Sequence, residues 1–310
     1  MIKLLKTFEN TLKETPEMEK DNWVHLLNPT DAEISRVSER FHVPQDYLRA
    51  ALDEEERSRI EVEDDCVLII VDVPVSETME SSSSYTTLPL GIIIANESII
   101  TVTTKELPLI DDFIYGRVKS FFTFKKTRFI LQLLYKNAMY YLYYLRQIDK
   151  ASNNIEKELH KSMKNKELIQ LLDLDKSLVY FSTSLRGNEI VLEKMLKLDS
   201  VKKYSEDEDL LEDVIVENKQ AIEMANIYSN ILSGTMDAFA SVISNNLNIV
   251  MKFLTSFTII LTVPTMVASF FGMNVPVPLA GQSYAFVIIM AISLGISLLM
   301  GWILFKKKMF

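Results

Sequence analysis

Phe253-Leu254-Thr255-Ser256-Phe257-Thr258-Ile259-Ile260-Leu261-Thr262-Val263-Pro264-Thr265-Met266-Val267-Ala268-Ser269-Phe270-Phe271 is the stretch that decides the fold. It has the length and apolarity of a bilayer span, which takes about 20 residues. A second such stretch runs from Tyr284 to Phe305, and between Phe253 and Phe305 there is no Asp, Glu, Lys, Arg or His. The segment between them, Gly272 to Ser283, is short, so the two spans must be antiparallel neighbours. Lys252 before the first span and Lys306-Lys307-Lys308 after the second put both ends on the inner side by the positive-inside rule, and the uncharged connection outside. A plain hairpin anchor for a soluble domain would have the same topology, so function needs a further signal.

That signal lies on the helix leading into the first span. From Asp207 to Phe271 there is one glycine, Gly234, and one proline, Pro264, and the cluster Glu206-Asp207-Glu208-Asp209 suits a helix N-terminus. A single helix opening near Ser205 is predicted, a stalk that runs straight into the membrane. Alternate steps of four and three residues from Asp237 meet Ser241, Ser244, Asn248, Met251, Thr255, Thr258, Thr262, Thr265 and Ser269. All but Met251 can hydrogen-bond. A 3.5-residue period keeps one face toward a common axis in a parallel bundle, and a polar line at membrane depth calls for a partner, which a water-filled axis supplies. Hydroxyl residues also serve as close-packing glue between membrane helices. The continuity of the line in one register favours pore lining. Leu254 shares a level with Thr255 and with Met251 would form an apolar constriction of the kind that gates by dewetting. Pro264 has no amide for the Ile260 carbonyl, which leaves a kink or a carbonyl free to face the pore.

Upstream, the first 105 residues read as mixed α/β. Strands are predicted at Asn22 to Leu27, Cys66 to Val73, Leu90 to Ala95 and Ile99 to Thr103, with a helix after Pro29 marked by Thr30 and Glu33 at capping-box spacing. The serines from Ser81 to Ser84 read as a loop between strands. After Phe124, long Gly- and Pro-free stretches with apolar residues at helical period predict two antiparallel helices that turn within the charged segment Asn153 to Lys166.

The expected organisation is a cytoplasmic α/β domain at 1–124, its long antiparallel helices at 125–204, a stalk helix at 205–252 and a two-span transmembrane domain at 253–310.

Charge and composition exclude other classes. Residues 1–252 hold 30 basic and 42 acidic side chains, a net charge of −12. Such a surface repels phosphate backbones and argues against nucleic-acid partners. One cysteine, Cys66, permits no intrachain disulfide and fits a reducing compartment. Met1-Ile2-Lys3-Leu4-Leu5-Lys6 is followed by polar residues, so no cleavable leader is expected and the N-terminus should be cytoplasmic. His25, His42 and His160 are scattered without zinc-ligand spacing, and there is no phosphate loop or nucleophile elbow, so an enzyme is not expected.

Gly272-Met273-Asn274 at the end of the first of two C-terminal spans, followed by a short loop, a second span and a lysine-rich end, resembles the CorA magnesium-transporter family. The resemblance covers the whole layout. It implies a homopentameric funnel in the cell membrane, with both termini cytoplasmic, that admits Mg²⁺ through an axial pore. Gly272, Met273 and Asn274 would form the selectivity filter, and the stripe residues Asn248, Met251, Leu254, Thr255, Thr258, Thr262, Thr265 and Ser269 the pore wall. Neutral carboxamides suit this role, because Mg²⁺ gives up its octahedral water shell reluctantly and a ring of Asn274 side chains can accept hydrogen bonds from that shell.

The family also implies closure by cytoplasmic Mg²⁺ held by carboxylates between subunits. Counting back from Gly-Met-Asn, Asp213 falls at its stalk aspartate and Asp237 at a second acidic position, with Glu77 the expected partner. Two features depart from the family. The segment Val275 to Ser283 carries no carboxylate, and Phe271 stands where tyrosine is usual. Co²⁺, Ni²⁺ or Zn²⁺ transport on the same fold is the competing reading within the class. Those ions favour imidazole or thiolate, which the stripe lacks. A non-conducting membrane-anchored scaffold is the competitor outside it.

Overall fold

The computed structural model describes residues 1–9, 11–63, 66–79, 82–95, 98–162, 165–197, 204–275, 282 and 284–307. It divides into two compact units, Met1–Gly234 and Thr235–Phe310.

In the first unit the strands β1 (Ile2–Phe8), β2 (Thr11–Glu14), β3 (Trp23–Leu27), β4 (Arg59–Glu63), β5 (Cys66–Met79), β6 (Ser82–Ile94) and β7 (Ile99–Thr103) form one sheet. Its order is β2-β1-β3-β7-β6-β5-β4. All pairings are antiparallel except β3 with β7. Along β5, Leu68 and Ile70 pack with Val37, Leu48 and Ile93, whereas Ile69, Val71 and Val73 pack with Phe113, Phe129 and Val191 on the other face. Both faces are covered, which is why this strand reads as an unbroken apolar run and not as an alternation.

One face carries α1 (Asp31–Phe41) and α2 (Gln45–Ala50). The predicted capping box is present: the Glu33 amide donates to Thr30 Oγ1 and the Thr30 amide to Glu33 Oε2 at 2.9 Å. On the other face lie α3 (Pro108–Ile114) and the long helices α4 (Lys126–Ser162) and α5 (Asn165–Met195). α4 ends and α5 begins within the charged segment, as expected, and residues 163 and 164 between them lie outside the described residues. Trp23 packs edge-on against Phe113, Phe121 and Phe129, tying β3 to α3 and α4. Tyr141 and Phe181 meet at 5.1 Å and link α4 to α5.

Beyond the end of β4, α5 completes the sheet edge. Asn188 takes the Asp72 amide on Oδ1 and donates Nδ2 to the Asp72 carbonyl, both at 2.9 Å, so one side chain replaces a missing strand. Asn137 and Tyr141 of α4 donate to the same carbonyl. Burial pushes the Asp72 carboxyl up, against the hydrogen bonds of Ser184 and Ser58.

The four predicted strands are present, and β1, β2 and β4 are additions to them. The serine tract differs from expectation. Ser82 to Ser84 belong to β6, paired with Met79, Thr78 and Glu77. Once a long partner strand lies alongside, ladder hydrogen bonds outweigh the low strand preference of serine. Ser81 lies outside the described residues.

The second unit contains the C-terminal part of α6 (Ser205–Phe271) and all of α7 (Ala285–Lys306). Helix α6 is continuous over 67 residues with Pro264 inside it. At 1.5 Å per residue that is on the order of 100 Å. Both helices are long and apolar enough to cross a membrane.

Candidate permeation path

Within the second unit α6 has two unlike sides. Ser256, Ile259, Ile260, Val263, Val267 and Phe271 are buried or half-buried, a set at helical spacing. Gly301 of α7 sits beside this side: a Cβ there would stand 3.5 Å from the Ile260 Cδ1. Ser293, Ser297 and Leu304 are the buried residues of α7. Ser293, Ser297 and Gly301 recur every four residues, the small-residue spacing that lets membrane helices approach closely. The sequence held that signal, but it was not among the candidate features.

The stripe lies on the opposite side. Each of Thr258, Thr262, Thr265 and Ser269 stands two residues beyond a buried or half-buried one (Ser256, Ile260, Val263, Val267), about 200° around the helix. Asp237, Ser241, Ser244, Asn248, Met251, Leu254, Thr255, Thr258, Thr262, Thr265 and Ser269 are all exposed on the chain. Four of the hydroxyls follow a shared pattern. Ser241 donates to the Asp237 carbonyl at 3.0 Å, Thr258 to Leu254 at 2.8 Å, Thr262 to Thr258 at 2.7 Å and Thr265 to Leu261 at 3.1 Å.

At its C-terminal end α6 closes with the Gly272 amide on the Ala268 carbonyl at 2.9 Å. A side chain at Gly272 would bring its Cβ to 3.2 Å from that carbonyl, so the turn favours glycine. Gly272, Met273 and Asn274 follow as an exposed bend. Most of the uncharged connection, 276–281 and Ser283, lies outside the described residues, as does Lys308. At the other end of α7, the Lys306 ammonium lies 5.5 Å from the centre of the Trp302 ring. A cation–aromatic pair of this kind suits a membrane–water boundary.

Of the carboxylates expected to regulate, Asp237 lies on the stripe, whereas Asp213 and Glu77 belong to the first unit. Asp213 is exposed on the N-terminal part of α6. Glu77, on β5, has a cationic partner within the chain: Lys105 Nζ lies 3.3 Å from its Oε1 and 3.7 Å from Glu54 Oε1. Lys105 is 28 residues from Glu77, and no spacing rule points to it. Among the described residues no three His, Cys, Asp or Glu side chains are grouped closely enough to hold a metal ion.

His25, His42 and Cys66 lie within the first unit. His25 is buried with Nδ1 3.0 Å from Thr101 Oγ1, which also accepts from Trp23 Nε1. Burial, aided by the positive charge of Lys3 and of the N-terminus, holds its pKa down to about 4. His42 ends α1 in a left-handed conformation, and the side chain of His160 lies outside the described residues. Cys66 is buried, and its thiol lies 3.8 Å from the His42 carbonyl.

An α/β unit, and a second unit with two helices long and apolar enough to cross a membrane, one of which carries an oxygen-bearing face away from the other, fit a class of membrane transport protein. Comparison with known proteins specifies it. The sequence model of the family described as CorA-like Mg²⁺ transporter protein matches residues 19–308, so the chain belongs to that family of transporters. The cobalt/magnesium transport protein CorA of Methanocaldococcus jannaschii is 29% identical over 294 residues, 91% of this chain and 89% of that protein. The complete structure of the CorA magnesium transporter from the same organism superposes with a TM-score of 0.83 at 26% identity, covering 98% of this chain and 97% of the other. The full-length CmaX protein shares the fold, with a TM-score of 0.71 at 12% identity over 99% of this chain and 97% of that one.

Proposed function

We propose that this protein is a Mg²⁺ channel in which copies of the chain, five by family analogy, turn the stripe of α6 toward a common axis and pass the hydrated ion inward. The observation that carries this reading is the exposed line of oxygens from Ser241 to Ser269, leading to Gly272-Met273-Asn274, on the side of α6 that α7 leaves open. Two positive charges entering down a membrane potential gain about 4.6 kcal/mol per 100 mV, enough to drive uptake without another energy source. The pore wall is Asn248, Met251, Leu254, Thr255, Thr258, Thr262, Thr265 and Ser269. The filter is Gly272, Met273 and Asn274. Both termini are cytoplasmic, and the lysines at the ends of the spans support that orientation.

Co²⁺ is a second cargo on this reading. The relative named a cobalt/magnesium transport protein favours it, and the Met251 thioether is a softer donor than the oxygens around it. Cytoplasmic Mg²⁺ closes the pore by binding carboxylates, with Asp213, Asp237 and Glu77 the candidates. At Glu77 an incoming ion competes with the Lys105 ammonium.

The decisive experiment is Mg²⁺ uptake by proteoliposomes containing the full chain. Asn274→Ala is expected to lower uptake at least about tenfold while the oligomer stays intact, because the ring loses its carboxamides. Wild-type uptake by that variant removes the filter assignment, and no uptake by the unaltered protein leaves the scaffold reading. Competition by Co²⁺, Ni²⁺ and Zn²⁺ in the same vesicles ranks the cargoes.

A further inference from the structure

From Phe113 to Ile148 the chain holds no Asp or Glu, and every charged side chain there is Lys or Arg. In a chain with 42 acidic and 33 basic side chains such a stretch concentrates positive charge. It leads into α4, where three of its cations meet at a cavity. This cavity, of about 930 Å³, lies within the first unit beside the starts of α4 and α6, with Phe124, Lys125, Lys126, Arg128 and Tyr204 in its wall. That volume is in the range of small-molecule sites.

The sign of the ligand follows from the side chains. Glu206 and Asp207 also stand in the wall, but Arg128 answers both: its Nη1 lies 3.2 Å from Glu206 Oε2 and 3.3 Å from Asp207 Oδ1. A cation entering here would have to displace that guanidinium. Lys125 is different. It is exposed, its ammonium lies 5.3 Å from the centre of the Phe122 ring, and no carboxylate pairs with it among the described residues. Lys126 Nζ, next in the chain, donates to a neutral acceptor, the Ala95 carbonyl, at 3.2 Å. The first turn of α4 contains no acidic side chain, and the leading amides of a helix have no partner inside it. An anion with several oxygens, such as phosphate, can take the ammoniums and these amides together.

The rest of the wall is aromatic. Phe124 and Tyr204 are 51% and 58% exposed, and rings left open beside a cavity offer faces on which a flat ligand stacks. We propose that this cavity binds a nucleoside phosphate, with its phosphate on Lys125, Lys126 and the first amides of α4 and its base on the aromatic part of the wall. The site belongs to the first unit and does not rest on the channel reading. A single small anion is not a nucleic-acid chain, which the acidic surface as a whole still repels.

The test is isothermal titration calorimetry on the full chain in detergent micelles, in Mg²⁺-free buffer so that no heat comes from metal binding. ADP, inorganic phosphate and adenosine are the probes. ADP is expected to bind at least about tenfold more tightly than either of the others, since only ADP meets both the cations and the rings. Lys125→Glu is expected to weaken ADP binding at least about tenfold, and Lys125→Arg to stay within about threefold of wild type. Replacing Phe124 and Tyr204 together by alanine is expected to weaken ADP at least about fivefold and to leave inorganic phosphate unchanged. Should Lys125→Glu melt at a lower temperature than wild type, Lys125→Gln decides, with a loss of at least about threefold expected.

Absence of ADP binding at millimolar concentration overturns the proposal, as does wild-type ADP affinity in the Lys125 variants that lack the positive charge. Inorganic phosphate binding as tightly as ADP, or an unchanged ADP affinity in the aromatic double variant, overturns the nucleoside as ligand. These titrations measure no ion flux, so the channel reading stands or falls separately.

Discussion

The two units of this chain are built inside out relative to one another. In Met1–Gly234 the largest apolar side chains are the best hidden: Trp23, Phe113 and Phe181 are 0% exposed. In Thr235–Phe310 the order reverses. Phe286 and Phe305 are 72% exposed and Trp302 61%, while the buried positions include Ser256 at 0% and Ser293 and Ser297 at 8%. Water rewards the first pattern by the hydrophobic effect. In hydrocarbon there is no such reward for hiding phenylalanine, and small or hydroxylated residues make the helix contacts instead. The contrast shows that each unit is fitted to a different solvent.

The sharpest way to break this contrast uses the two tryptophans. Trp23→Ala removes a fully buried ring and is expected to cost about 3–5 kcal/mol of the first unit's stability. The same change at Trp302 should leave the stability of that unit unaltered. Denaturation followed by circular dichroism of both purified variants compares them directly, and an equal effect would end the distinction.

A charge at the exposed face of α7 comes next. Leu294→Arg, near the middle of that helix, is expected to cost about 3 kcal/mol on insertion and to reduce the membrane-integrated fraction several-fold. Normal integration of this variant would mean that the face does not meet lipid.

The third probe is acid. His25 is neutral when folded, with a pKa held down to about 4 by burial. As pH falls below about 6.5 the unfolded chain takes up a proton that the folded one refuses. The stability from this group is therefore whole above that pH, is lost between about 6.5 and 4, and levels off below. The full loss is about 3 kcal/mol. It should vanish in His25→Gln, and chemical denaturation at pH 7 and pH 4.5 measures it. The smallest expected effect is at the capping box, where Thr30→Ala should lower stability by about 1 kcal/mol, read as a shift of the denaturation midpoint.

Much of this was legible before any coordinates because it repeats along the chain. The β-branched runs of β3, β5 and β7 and the long uninterrupted α6 declare themselves by period and length. Three strands escaped. Ile2 to Phe8 drew attention only as a would-be leader, and Thr11–Glu14 is too short to show a pattern. Arg59–Glu63 does alternate charged and apolar residues, a signal that was present and passed over. The stripe was readable because 3.5-residue spacing is a property of sequence. The direction of its hydroxyl hydrogens was not, since it depends on rotamers. Nor was the Glu77–Lys105 pair, which only the folding of the sheet brings together.

The span region from Phe253 to Phe305 contains no carboxylate, imidazole or amine. That stretch has no protonation state to change across the physiological range. Any acid or alkaline response of transport must then originate outside that stretch, so a pH profile of flux reads the rest of the chain at a distance.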